Sequence, residues 1–211
     1  MNLLILLCLL VIVNVYSIYN TTTTSTVTSS CICTTVPCPV VGTNHLALKG
    51  GGTMTYSYAS HNGIPVVTSA TGSISKSDLD QGIIITMITI IIIITIIIIG
   101  SDTTSCTQSY ARSLDDDGVQ DCDAGHIVAH RLGGPGNQPL NIFPQDLSEN
   151  RGPYAQYEDS IYDCIASAGA VASLSWTFTY SSSTQTKPVK VQYNAKFSKG
   201  PCTTLTETFA N

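Results

Sequence analysis

Charge is scarce in this chain. Only 11% of its 211 residues are Asp, Glu, Lys or Arg, and nine Lys and Arg stand against fourteen Asp and Glu, a formal balance of −5. Such a balance excludes strong long-range attraction of a polyanion, and it leaves any anionic ligand dependent on local contacts. Six of the nine basic residues lie at or after Arg131, whereas Asp115, Asp116 and Asp117 crowd an earlier loop. A second shortage is of histidine near Cys31, Cys33 and Cys38: none stands at the spacing that completes a tetrahedral zinc set. A third is of length, which suffices for one domain with a proper core and not comfortably for two.

What is abundant is Ser, Thr and Ile, a composition that favours strands over helices. Residues 1–17 have the apolar run Leu3 to Val13 and the small or medium residues Val15 and Ser17 of a secretory signal peptide, although no Lys or Arg precedes the run. The run is shorter than a membrane span requires, so export without stable membrane association is the expectation. Export makes Asn20-Thr21-Thr22 a glycosylation sequon. It also removes Cys8 and leaves seven cysteines, most of which should pair, with one odd thiol or an intermolecular bridge remaining. A bridge between Cys164 and Cys202 would tie the end of a helix to the last strand.

Residues 18–43 read as an exposed leader rich in Thr, Ser and Cys, and residues 44–211 as the folded domain. Within the domain, Ile83 to Ile99 contains nothing but Ile, Thr and Met. Codons for these three interconvert by single substitutions, so the segment reads first as an insertion or a gene-model artefact. A buried strand and a membrane span are the alternatives; the acidic residues that follow oppose the span.

Alternation of apolar and polar residues marks strands around Met54 to Tyr58, Ala172 to Tyr180 and Val189 to Phe197, with Asn62-Gly63 as a hairpin turn. Ser109 to Ser113 reads as a short strand carrying Arg112. Gly125 to Arg131 reads as a strand returned by Leu140 to Phe143, which Pro144 ends. A helix should begin between Asp146 and Pro153: the first offers a capping box with Glu149, the second fits the first helical position. Its apolar face runs through Tyr154, Tyr157, Ile161, Ile165 and Ala168 to a stop at Gly169.

The chemistry-bearing residues concentrate between Asp123 and Glu158. A histidine followed some two dozen residues later by an asparagine at the mouth of a helix suits a reaction needing one general base and one weakly held divalent cation. The ordered pieces Asp123-Ala124-Gly125-His126, Asn141-Ile142-Phe143-Pro144-Gln145, Asn150-Arg151-Gly152 and Glu158 resemble the DNA/RNA non-specific endonucleases of the ββα-metal, or His-Me finger, class. The resemblance covers roughly residues 45 to 209. Ala124 departs from the Asp-Arg-Gly-His of that family, removing one phosphate contact and leaving the base intact.

The resemblance implies an α+β fold, a central antiparallel sheet with a ββα-metal finger. It implies a nuclease in which His126 takes a proton from the attacking water and Asn150 is the one direct protein ligand of Mg²⁺, with Mn²⁺ able to substitute. Asp123 and Glu158 would hold metal-bound waters or orient His126. Asn141 would position His126 or the scissile phosphate, and Arg151, Arg131 and, more loosely, Arg112 would hold phosphate charge. DNA and RNA would be cleaved alike, because phosphate contacts carry no sequence information. Two alternatives stay open: a secreted binding protein that kept the nuclease fold without turnover, and a toxin-like nuclease with an inhibitor partner.

Overall fold

In strand β2 (Thr53–His61) Met54, Tyr56 and Tyr58 are buried and alternate with more exposed neighbours, as a strand with one wet face requires. Asn62 and Gly63 both take positive φ, 50° and 79°, which suits the tight turn that folds β2 back into β3 (Ile64–Ile74). With β1 (Gly42–Ala47), β6 (Ala172–Thr179), β7 (Lys190–Phe197) and β8 (Leu205–Ala210) they form a six-stranded sheet in the order β1-β2-β3-β6-β7-β8. Every neighbouring pair in it is antiparallel. β4 (Asp123–His126) and β5 (Ile142–Gln145) form a separate antiparallel ribbon. The computed structural model describes residues 33, 36–80, 103–118 and 122–211. The expected signal peptide, most of the leader and the Ile-rich segment 83–99 lie outside the described residues.

Among the described residues three α-helices accompany the strands: α1 (Ser105–Ser113), α2 (Leu147–Arg151) and α3 (Pro153–Ala168). Tyr154, Ile161 and Ile165 of α3 pack with Ile127, Leu132 and Phe143 against the sheet residues Met54, Tyr56, Leu174, Trp176, Val191 and Tyr193. Each large apolar side chain so buried contributes about 1.5–3 kcal/mol. Trp176 lies 4.4 Å from the Tyr193 ring and donates its indole N–H to the Tyr154 hydroxyl at 3.1 Å, so the core's largest side chain has its polar atom satisfied. A smaller cluster of Tyr110, Ala111, Leu114, Cys122, Ala124 and Ile142 seals α1 to the ribbon. Among the described residues no helix is long and apolar enough to cross a membrane.

The architecture is the α+β arrangement expected, and several local readings are corrected. Ser109 to Ser113 is helical rather than extended. Thr104 and Thr107 exchange side-chain to main-chain hydrogen bonds at the start of α1, a capping box built from two threonines where the familiar pattern has Glu or Gln. The strand expected to run to Arg131 stops at His126, and beyond it the Val128 N–H bonds to the Asn141 side chain rather than to a neighbouring strand. The return strand is Ile142–Gln145 and includes Pro144, which sits opposite Ala124 in a two-stranded ribbon where a missing N–H costs no ladder bond on the outer side.

Both candidate helix starts are used. Asp146 precedes α2 and Pro153 opens α3, with Gly152 at φ −122°, ψ −108° breaking the two apart. Asp146 makes no capping bond; its carboxylate goes to Lys187 instead. At the far end Gly169 adopts φ 58° and returns its N–H to the Ile165 carbonyl, as the sequence suggested. Cys164 is bonded to Cys202, as expected, and Cys33 to Cys106. Cys38 is also in a disulfide, which leaves the leader cysteines Cys33 and Cys38 without thiolates to offer zinc. Among the described residues the free thiol is the buried Cys122, its pKa pushed up to about 12 by burial and by the Asp115 carboxylate.

Candidate active site

A solvent-open hollow is lined by Asp123, Ala124 and His126 of β4, by Asn150 and Arg151 of α2, and by Thr103 and Gln108 from the start of α1. The ribbon's geometry explains the glycine between them. A Cβ on Gly125 would stand 2.2 Å from Oε1 and 2.6 Å from Cβ of Gln145, the buried residue opposite Asp123, so only glycine lets β4 lie over that side chain.

Asp123 is the centre of the polar network. Arg151 donates Nε and Nη2 to its two oxygens, each at 2.8 Å, in the forked geometry that suits guanidinium and carboxylate. The Asn150 side-chain amide donates to Oδ2 at 3.0 Å. Partial burial works against the charge on Asp123, but Arg151 and Asn150, with Arg112 nearby, outweigh it and hold the carboxyl below its ordinary range. Asp123 is therefore an anion at neutral pH. Its bond to the Asn150 nitrogen fixes which end of that amide is which, leaving Oδ1 as the acceptor available to a cation or a water.

The remaining sequence candidates are distributed differently. Asn141 is fully buried at the end of a 3-10 turn, Pro139–Asn141, and is not on β5. Its side chain accepts from the Val128 N–H and the Tyr56 hydroxyl and donates to the Val128 and Pro135 carbonyls. With both side-chain polar atoms so committed, Asn141 replaces the ladder partner that the chain loses beyond His126, and it does not line the hollow. Glu158 does not line the hollow either. The break at Gly152 separates it from Asn150, and its carboxyl Oε1 is covered and without a hydrogen-bond partner. Burial, with Asp159 beside it, pushes its pKa well above the ordinary carboxylate range. Arg131 is ion-paired with Asp159, its guanidinium 4.0 Å from the Tyr162 ring centroid on the outer side of α3, also away from the hollow. Arg112 is exposed on α1, close enough to Asp123 to lower its pKa.

Thr103 and Gln108 were not anticipated. Gln108 is one helical turn before Arg112, so a helical reading of 105–113 would have brought both to the same wall. Among the described residues no three His, Cys, Asp or Glu side chains converge as a cation cage. A divalent ion fits this site only as one amide oxygen, Asn150 Oδ1, allows, with water and a bound phosphate completing its shell.

A profile of DNA/RNA non-specific endonuclease domains matches residues 95–199. Over 95 residues, 45% of this chain, the sequence is 40% identical to "Probable deoxyribonuclease RhsA" of Dickeya dadantii (strain 3937). The match spans only 6% of that much longer relative. Two crystal structures of NucA from Streptococcus agalactiae share the fold at 13% identity. The one with no metal bound has a TM-score of 0.53 and covers 83% of both chains; the one with magnesium bound has 0.50 and covers 84% of this chain and 85% of that one.

Proposed function

On the premise that the chain belongs to the DNA/RNA non-specific endonuclease family, we propose that it is an exported, metal-dependent nuclease that hydrolyses phosphodiester bonds of both DNA and RNA, with His126 as general base and Mg²⁺ held through Asn150. The observation that carries this reading is the convergence of His126, Asn150 and an anionic Asp123 on one open, polar hollow. A neutral imidazole takes the proton of an attacking water near neutral pH. A divalent cation, when bound, stabilises charge on the phosphate oxygens and on the leaving oxygen.

The chain's own residues supply the rest. Asp123 holds the Asn150 amide so that its carbonyl faces the cation position, and it keeps Arg151 in place beside the phosphate. Arg151 gives Nε and Nη2 to Asp123 and retains Nη1 for a phosphate oxygen. None of these groups reads a base edge, which accords with cleavage of either sugar backbone. Export is supported by the leader pattern and by the disulfides Cys33–Cys106 and Cys164–Cys202.

The test is a plasmid and RNA cleavage assay with Mg²⁺, Mn²⁺ or EDTA, run beside His126→Ala. Cleavage should need the cation and should be lost in the variant while its thermal unfolding stays near the parent's. A variant that degrades plasmid as fast as the parent removes His126 from the role.

A further inference from the structure

The outer edge of β4 has a partner that is not a strand. Successive outward-facing groups of an edge strand, the carbonyl of one residue and the N–H two residues on, need hydrogen bonds when they are covered. At the start of β4 these groups are the carbonyl of Cys122, the residue just before the strand, and the Ala124 N–H. The Gln108 side chain answers both: Nε2 donates to the Cys122 oxygen at 2.8 Å, and Oε1 accepts from the Ala124 nitrogen at 3.0 Å. A primary amide is the side chain that carries one donor and one acceptor in this fixed fork, so it mimics a peptide of a neighbouring strand. The residue bracketed by the two bonds is Asp123.

We propose that Gln108 is a positioning residue of the catalytic site: its amide clamps the main chain on both sides of Asp123 and thereby sets where Asp123 holds Asn150 and Arg151. The inference rests on the nuclease reading above. It is strengthened by how firmly α1 is anchored. Cys106 is disulfide-bonded to Cys33, the Thr107 hydroxyl donates to the Gly136 carbonyl at 2.7 Å, and Tyr110, Ala111 and Leu114 are packed against the ribbon. The clamp is therefore held by a rigid element and not by a loop, which is what positioning to a fraction of an ångström requires.

The experiment compares Gln108→Met and Gln108→Glu with the parent in the full, oxidised chain. Methionine keeps the length and apolar stem and loses both bonds. Glutamate keeps the acceptor for the Ala124 N–H but, when ionised, loses the donor to Cys122. Hydrogen exchange at the Ala124 amide should accelerate in Gln108→Met, kcat should fall on the order of 10- to 100-fold, the Mg²⁺ concentration for half-maximal activity should rise, and substrate KM should change little. Measured as a ratio to the parent at each pH, since acid also protonates the His126 base in both proteins, the Gln108→Glu deficit should shrink as the pH is lowered, because the protonated acid again presents one donor and one acceptor. Unchanged Ala124 exchange overturns the proposal. So does parental kcat with a parental Mg²⁺ response, and so does an activity loss that merely follows a lowered melting temperature. A parent that cleaves neither DNA nor RNA with Mg²⁺ or Mn²⁺ is a separate result, which overturns the nuclease reading and the catalytic sense of Gln108 with it.

Discussion

Lys187 is the chain's most consequential buried charge. Its side chain is only 3% exposed, and its ammonium contacts Asp115 at 3.2 Å, Asp117 at 2.5 Å and Asp146 at 2.7 Å. Its own N–H and that of Thr186 donate to the two oxygens of Asp116. The cluster joins the end of α1, the residue before α2 and the connection from β6 to β7, so it braces the elements on either side of the hollow. Burial pulls the Lys187 pKa down, but the three carboxylates outweigh burial and hold it above the ordinary lysine value. With a raised folded pKa, its contribution is complete below the unfolded value of about 10.4 and fades only as pH rises through the folded one.

Replacing Lys187 with Met leaves Asp115, itself 1% exposed, and its neighbours facing one another without a counter-charge. Removing one partner of a buried pair costs about 3–5 kcal/mol. At roughly 2–4 °C per kcal/mol for a domain of this size, the melting temperature should drop by about 6–20 °C at pH 8. Circular-dichroism melts of both proteins with disulfides intact read this directly. A variant that melts within about 2 °C of the parent at pH 8 refutes the account of Lys187 as the charge that three carboxylates require.

Asn150→Ala should raise the Mg²⁺ requirement at least about tenfold or abolish cleavage, and activity that survives EDTA would remove the cation from the reaction. Asp123→Ala frees both Asn150 and Arg151 and should lower activity by about 10- to 100-fold; because the Asp123 pKa is depressed, the parent should keep this support at neutral pH and lose it only as pH falls below the ordinary Asp range. Glu158→Gln should be stabilising at pH 8 and near neutral at pH 4, since an acid whose folded pKa is raised loses stability as pH climbs above its unfolded value. Equal effects at the two pH values in thermal melts would contradict the burial of that carboxyl.

The strands that the sequence displays are those with strong alternation. Leu174, Trp176 and Phe178, then Val191, Tyr193 and Ala195, are buried on one face, just as the period of two requires. β1 and β8 lie at the two edges of the sheet and bury little, so their patterns carry almost no contrast. α1 hides behind polar residues and a capping box written in threonine. Asn141 illustrates a different limit. Its motif position is visible, but its partners Tyr56 and Val128 come from distant strand and loop, and only folding shows that it braces the chain behind the imidazole. Lys187 stands 70 residues from Asp117 and 41 from Asp146 in the chain, and the cluster is equally silent until assembled.

The acidic balance of the chain ceases to argue against a polyanionic substrate once its carboxylates are followed to their partners. Asp115, Asp116, Asp117 and Asp146 turn to Lys187 and the peptide around it, and Asp159 is matched by Arg131. The carboxylate left at the hollow, Asp123, is itself bound by Arg151 and lies within reach of the field of Arg112. On the nuclease reading, a phosphate at the hollow would meet an Asp123 neutralised by the exposed Arg151, with Arg112 as one further exposed guanidinium. Net charge sets how far away a substrate is felt, while this arrangement sets what happens at contact, and the two have opposite signs here. A site of that kind gains little from distant attraction and must hold its phosphate through geometry, which is why the orientation of Asp123, fixed by Arg151 on one side and by Gln108 along its backbone, carries so much of the chemistry.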